Sequence, residues 1–310
     1  MAILLALFKT VRPRQWLKNL ALYAALVFTG MLFTEGAFGL VTQAVLVFIV
    51  LSSSTYIFND LVDVRADRLH PYKKRRPIAS GALPVPVAVL VLVLGVVLGL
   101  TWAYGLNSYF FICCLVYLGV QVLYSGYLKK VAIMDVIVIA FGYLIRAYAG
   151  AFVISAHMDV WFLLTMISVS LFLAVGKRRG EMTLLMSRGE GVATREALKR
   201  YTEKLLDIYT AMFATATWIT YALFTFNHPK IVPDGRALSM ISLLPKTLIS
   251  EKWMMATIPF VVYGIMRYLQ LIYEKNEGES PERVLLSDKP LIITVLLWGI
   301  VTIGVLYYIA

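Results

Sequence analysis

The sequence predicts an all-α integral membrane protein of nine transmembrane helices, and three observations carry that expectation. First, 60% of the 310 residues are hydrophobic and only 15% charged, with a mean hydropathy of +0.78, whereas soluble domains carry about 25% charged residues. Second, apolar runs close to the ~20 residues that a bilayer requires recur at roughly 17–33, 38–58, 84–104, 107–126, 134–154, 160–176, 207–226, 253–273 and 290–309. Third, basic residues gather on alternate connections. Residues 1–18 hold 4 Lys/Arg, 59–83 hold 6, 127–132 hold 2, 177–205 hold 8 and 267–289 hold 4. Nine crossings put all of these on one face of the membrane. By the positive-inside rule the N-terminus is then cytoplasmic and the C-terminus outside. The net charge of +11 thus reflects topology and anionic ligands rather than nucleic acid.

The elements follow in order. Met1–Phe8 is apolar, but Lys9, Arg12 and Arg14 follow it rather than precede it, which is the wrong order for a cleaved signal peptide. We expect an interfacial segment feeding the first span. No extramembrane stretch is long enough for a second domain, so 1–310 is expected to form a single transmembrane domain. The largest connections are 177–205, expected to carry a short amphipathic surface helix, and 227–252. Cys113 and Cys114 sit about 100° apart on one predicted helix and read as small packing residues. His70, His157 and His228 lack metal-ligand spacing, and neither a P-loop, a G-x-S-x-G turn nor a zinc signature occurs.

The stretch from Asn59 to Gly81 carries the chemistry. Asn59, Asp60, Asp63 and Asp67 close the second apolar run, with carboxylates at i, i+3 and i+7 on one face of a helix. Three anions on one face repel unless a cation lies among them. All-oxygen donors suit Mg²⁺, which completes its shell with substrate phosphates. Lys73-Lys74-Arg75-Arg76-Pro77 follows and offers counter-charge to phosphate oxygens. Together they read as a metal–diphosphate site at the cytoplasmic membrane surface. Other polar groups recur on the same predicted side: Lys18 and Asn19 before the first span, Tyr124, Lys129, Lys130 and Asp135 around the fourth and fifth, and Lys177, Arg178 and Glu181 after the sixth. Arg146 lies 11 residues beyond Asp135, about 16 Å deeper. A buried Arg in a membrane marks a polar cavity or a partner. Arg267 carries the same argument more weakly, because it can snorkel to the surface.

The nine spans, the N-D-x-x-D-x-x-x-D motif after the second and the polar motif after the fourth resemble the UbiA superfamily of intramembrane prenyltransferases. The pattern is similar in finer detail to its decaprenyl-phosphate phosphoribosyltransferase branch. The residues that carry this are Arg12-Pro13-x-Gln15-Trp16-x-Lys18-Asn19, Asn59-Asp60 through Arg76-Pro77-Ile78-Ala79-x-Gly81, Tyr143 through Gly150, Gly176-Lys177-Arg178-x-x-Glu181 and Leu285-Leu286-x-Asp288-Lys289-Pro290-Leu291. The resemblance implies a UbiA-like bundle open to the cytoplasm and Mg²⁺ as cofactor. It also implies transfer of 5-phosphoribose from phosphoribosyl diphosphate to a polyprenyl phosphate, towards lipid-linked arabinose. Where aromatic prenyltransferases carry a second Asp-rich motif, this chain has Asp135 alone, preceded by Lys129 and Lys130, which suit an additional phosphate.

On this reading Asn59, Asp60, Asp63 and Asp67 hold the metal, the last three being catalytic. Lys18, Asn19, Lys73, Arg76, Tyr124, Lys129, Lys130, Asp135, Arg146, Lys177, Arg178 and Glu181 bind substrate. The expected setting is the inner membrane, with the site facing the cytoplasm. Two alternatives stay open: an aromatic prenyltransferase using a polyprenyl diphosphate, and a lipid transporter without chemistry. The sequence leaves chain length and oligomeric state open, a homo-oligomer included.

Overall fold

A computed structural model of the chain describes residues 2–69, 73–187, 200–228, 252–274 and 281–309, and among these every regular element is helical. Seven helices of the described residues are long and apolar enough to cross a membrane. The chain divides into two compact units, one built on Met1–Leu26 and Met31–His157, the other on Val27–Gly30 and the described parts of Met158–Glu190 and Tyr201–Ala310.

The first unit opens with α1 (Ala2–Thr10), whose Leu4, Leu5 and Phe8 are exposed while Ala6 packs beside Ile57. The segment expected to be the first span is not one α-helix. It runs as a 3₁₀ helix over Pro13–Leu22 and then as the short α2 (Tyr23–Phe28). The physical reason is local only at its start. Pro13 fixes the first turn, and the side chains after it are tied to neighbouring helices rather than left to follow a regular α-helix. At about 2.0 Å per residue in the 3₁₀ part and 1.5 Å in α2, the 16 residues still rise about 29 Å.

Two central helices carry the unit, α3 (Ala37–Val62) and α7 (Met134–Val153), each more than half buried along its apolar length. Short α4 (Val64–Leu69) follows α3 directly. Between them, α5 (Val85–Leu106) and α6 (Ser108–Gly126) form an outer layer; just over half of the α5 residues are exposed, as on a lipid-facing helix. Asn107 breaks the chain between these two and caps α6 by accepting hydrogen bonds from the backbone N–H groups of Tyr109 and Phe110.

Small residues set how closely the helices approach. A Cβ on Gly95 would stand 2.4 Å from Ser54 Oγ, and one on Gly99 2.6 Å from Leu51, so α5 lies directly on α3 through a Gly-x-x-x-Gly pair. A Cβ on Gly150 would stand 2.0 Å from the carbonyl oxygen of Leu22, which holds the 3₁₀ segment against the backbone of α7.

The second unit contains α8 (Val160–Ser187) and α9 (Glu203–Asn227), then α10 (Ile258–Glu274), α11 (Pro281–Ser287) and α12 (Lys289–Gly304), the last closing in a π turn over Val305–Ile309. The predicted sixth span is longer than expected, because α8 continues through Lys177-Arg178-Arg179 to Ser187. Of the 177–205 connection expected to carry a surface helix, 177–187 continue α8 and 203–205 open α9, while 188–199 lie outside the described residues; the segment expected at 227–252 lies largely outside them. Helix α9 is long enough to span but is diluted by threonines and tyrosines, and so is not among the seven apolar helices. Thr210, Thr217 and Thr220 donate to carbonyls one turn back, which satisfies their hydroxyls within the helix. Asp288 caps α12 through Leu291 N and is gripped by Arg267 at 2.7 and 3.1 Å. Arg267 therefore has an internal partner.

Candidate active site

The acidic motif sits where α3 ends. Asp63 terminates the helix and α4 restarts at Val64, yet backbone hydrogen bonds run through the junction, from Asp63 N to Asn59 O and from Asp67 N to Asp63 O. Asp60 and Asp67 therefore stay on one side, both about 3% exposed. Arg76 Nη1 donates to both, at 3.0 Å to Asp60 Oδ1 and 2.7 Å to Asp67 Oδ2. A second guanidinium, that of Arg12, donates to Asp60 Oδ1 at 2.5 Å. Asp63 turns instead to Lys129, whose Nζ lies 2.6 Å from its carboxylate and 3.5 Å from Asn59 Oδ1.

The four-residue metal set expected from spacing is thus divided into two pairs, Asp60 with Asp67 on Arg76 and Asn59 with Asp63 on Lys129. Among the described residues, no three His, Cys, Asp or Glu side chains are grouped to hold a metal ion. The donor chemistry still fits Mg²⁺. Asp60 and Asp67 already aim oxygens at one cationic centre, and Mg²⁺ takes only one or two carboxylates when phosphates supply the rest.

Local sequence explains how Arg76 is delivered. Lys73–Arg75 makes one 3₁₀ turn, and Arg76 opens a reversal in which Ser80 N bonds to Arg76 O and Leu83 N to Pro77 O. Ile78 and Leu83 plug into an apolar cluster with Ala6, Ile57 and Ala88, so the Pro-Ile-Ala-Ser-Gly turn anchors the arginine that precedes it. Lys74 and Arg75 point outward, and Lys73 is half-buried.

Arg12 is the residue that sequence reasoning did not single out, although it heads a motif quoted above. Its backbone is left-handed, with φ 53° and ψ 66°, immediately before Pro13. Such a conformation costs a non-glycine residue about 1–3 kcal/mol and persists only when its surroundings hold it. Here the carboxylate of Asp60 and the ring of Tyr56, 5.3 Å from the guanidinium carbon, do so.

Asn19 and Arg146 form a separate buried network rather than joining the acidic cluster. Arg146 Nε donates to Asn19 Oδ1 at 2.8 Å, Nη1 to Gly142 O at 2.6 Å and Nη2 to Tyr117 Oη at 3.2 Å. Asn19 in turn donates to Ser52 Oγ, and Trp16 Nε1 donates to Ser53 Oγ. The buried Ser52-Ser53 pair of α3 thereby fixes the 3₁₀ segment, and Arg146 ties it to α6 and α7. In this geometry Arg146 and Asn19 hold Arg12's segment in place. Lys18 and Tyr124 are half-buried, Lys130 is exposed, and Asp135 is fully buried in the first turn of α7.

In the second unit, Arg178 is completely buried and pairs with Glu181 one turn on, while Lys177 is half-buried. Arg179 binds Asp207 at 2.7 Å and Glu203 at 3.1 Å, linking α8 to α9. Also in the first unit, a groove of about 310 Å³ runs between α3, α5 and α6. It is lined by Thr55, Phe58, Val93, Val96, Leu118 and Gln121 among others, and its surface is apolar. Thr55 lies one helical turn before Asn59, so the groove starts just beneath the charged cluster.

The chain is similar to known proteins. The UbiA prenyltransferase family matches residues 21–180. The decaprenyl-phosphate phosphoribosyltransferase of Mycolicibacterium smegmatis is 37% identical over 307 residues, covering 97% of this chain and 92% of that protein. The protein of the same name from Mycobacterium tuberculosis is 34% identical over 300 residues, 96% of this chain and 92% of its own. In fold, the chain is similar to a UbiA homologue from Archaeoglobus fulgidus solved with GPP and Mg²⁺, with a TM-score of 0.67 at 19% identity over 97% of this chain and 99% of that one. A match over half the chain and relatives aligned nearly end to end lead to one conclusion: this protein is a transferase that belongs to the UbiA prenyltransferase family.

Proposed function

We propose that the protein transfers 5-phosphoribose from phosphoribosyl diphosphate to a polyprenyl phosphate of the decaprenyl type, releasing diphosphate, as a step towards lipid-linked arabinose. The observation that carries this reading is the interleaving of acid and base at the end of α3. Asp60, Asp63 and Asp67 are each in contact with Arg12, Arg76 or Lys129, in a chain whose near-full-length relatives bear the name of that reaction.

The chemistry asks little acid–base work of the protein. A lipid phosphate oxygen attacks the anomeric carbon, the carbon–diphosphate bond breaks, and the electron pair leaves with the diphosphate. The acceptor is already an anion at neutral pH. What the protein must do is bring two polyanions together, and screening by its cations does that. Asp60 and Asp67, with Asp63 and Asn59 beside them, would hold Mg²⁺, which when bound neutralises charge on the leaving group. Arg76, Arg12 and Lys129 would turn to the donor's phosphates, and Lys73, Lys18, Lys130 and Tyr124 belong to the same unit. Lys177, Arg178 and Glu181 are further substrate-binding candidates. The apolar groove beside Thr55 suits the polyprenyl chain of an acceptor whose phosphate lies at the cluster.

The same reading takes 1–310 as one functional domain in the inner membrane, with the site facing the cytoplasm. It counts nine crossings, the first through the 3₁₀ segment and α2, and the seventh through α9. The purified protein should release diphosphate from phosphoribosyl diphosphate only when a polyprenyl phosphate is present, and EDTA should stop it until Mg²⁺ is restored. Release from geranylgeranyl diphosphate with 4-hydroxybenzoate instead would replace this reading with an aromatic prenyltransferase.

A further inference from the structure

Each carboxylate of the charged cluster has a cationic partner within the chain. Three carboxylates, Asp60, Asp63 and Asp67, face three cations, Arg12, Arg76 and Lys129, through contacts of 2.5–3.0 Å. A divalent ion entering alone would have to pull nearly buried carboxylates away from guanidinium groups and leave those groups uncompensated. A diphosphate entering alone would meet the three carboxylates. Only the two together give every charge a partner: the ion takes carboxylates, and the freed cations take phosphate oxygens.

The side chains are built for such an exchange. Asp60 and Asp67 are fixed and about 3–4% exposed, whereas Arg12 and Arg76 reach them from the rim, with side chains 30% and 26% exposed. Arg12 is held in a left-handed backbone conformation with its guanidinium over Tyr56, so its contact with Asp60 is held against local preference.

We propose that Arg12, Arg76 and Lys129 are internal counter-cations that occupy the acidic motif until phosphates draw them off, so that metal and diphosphate enter together and neither is held well alone. This rests on the reading of Asp60 and Asp67 as metal-binding. It assigns Arg12 a binding role, one that closes the site to free metal and then contacts the donor's phosphates.

Equilibrium dialysis of the purified full-length protein tests it with Mn²⁺ as the probe, offered alone or as a preformed complex with inorganic pyrophosphate. The wild type should retain Mn²⁺ at least tenfold better from the pyrophosphate complex. Arg12→Gln should bind free Mn²⁺ about tenfold tighter than wild type and lose most of the pyrophosphate effect, given the strength of charge-assisted contacts, while Arg12→Lys keeps the wild-type pattern. Lys129→Gln should shift free Mn²⁺ binding in the same direction. Melting of the EDTA-treated wild type gives a reading that needs no variant: the Tm should rise with Mn–pyrophosphate and not with Mn²⁺ alone. Tight binding of Mn²⁺ alone by the wild type, or an Arg12→Gln protein that melts like wild type and binds Mn²⁺ no better, would overturn the proposal. None of these readouts requires phosphoribosyl transfer. A protein that behaves as described but transfers prenyl groups would keep this inference and lose the proposed function.

Discussion

Asp60 and Arg146 are both buried and charged, but their surroundings give them opposite work. Asp60 meets two guanidinium groups that reach it from a partly exposed rim, while Arg146 spends three donors on Asn19, Gly142 and Tyr117 inside the bundle. Asp60→Asn should therefore cut transfer at least 100-fold and lower the Tm less than Arg146→Ala does, because the two arginines reach it from a rim that water also reaches. Arg146→Ala should instead lower the Tm by roughly 5 °C or more, since each buried polar group left without a partner costs about 1–3 kcal/mol. Thermal melts beside initial rates separate the two, and equal loss of both properties in both variants would refute the division of roles. The carboxylates were legible from spacing because i, i+3 and i+7 contacts are local. Arg12 was not, because its contact with Asp60 joins residues 48 positions apart and exists only once α1 and the 3₁₀ segment are placed.

Helices were legible as elements because apolar runs of membrane length have few other solutions. The 3₁₀ segment was the exception, since its cause is tertiary: Asn19 and Trp16 are pinned to the serines of α3 and Leu22 to Gly150. Gly150→Val should push the segment off α7, because a Cβ already falls 2.0 Å from the Leu22 carbonyl oxygen. That variant should melt well below the wild type and lose activity by way of Arg12. Gly105→Ala, where nothing lies within 4 Å, should be neutral or stabilise by up to about 1 kcal/mol. Matching melts for the two variants would show that α7 and the 3₁₀ segment are not closely packed in the protein.

On the scale of the whole chain, charge asymmetry predicts topology. A reporter fused after Ala310 should read as non-cytoplasmic, and a cysteine placed at Ser187 should be labelled from the cytoplasmic side only. A cytoplasmic C-terminus would remove one crossing from the count. The central claim concerns what the cluster at the end of α3 acts upon, and the product lipid tests it most directly. Purified protein is given phosphoribosyl diphosphate, a polyprenyl phosphate, geranylgeranyl diphosphate and 4-hydroxybenzoate together with Mg²⁺, and the extracted lipid is identified by mass spectrometry. The account predicts a polyprenyl-phosphoryl-5-phosphoribose that is absent from the Asp60→Asn reaction; a prenylated benzoate in its place would contradict it.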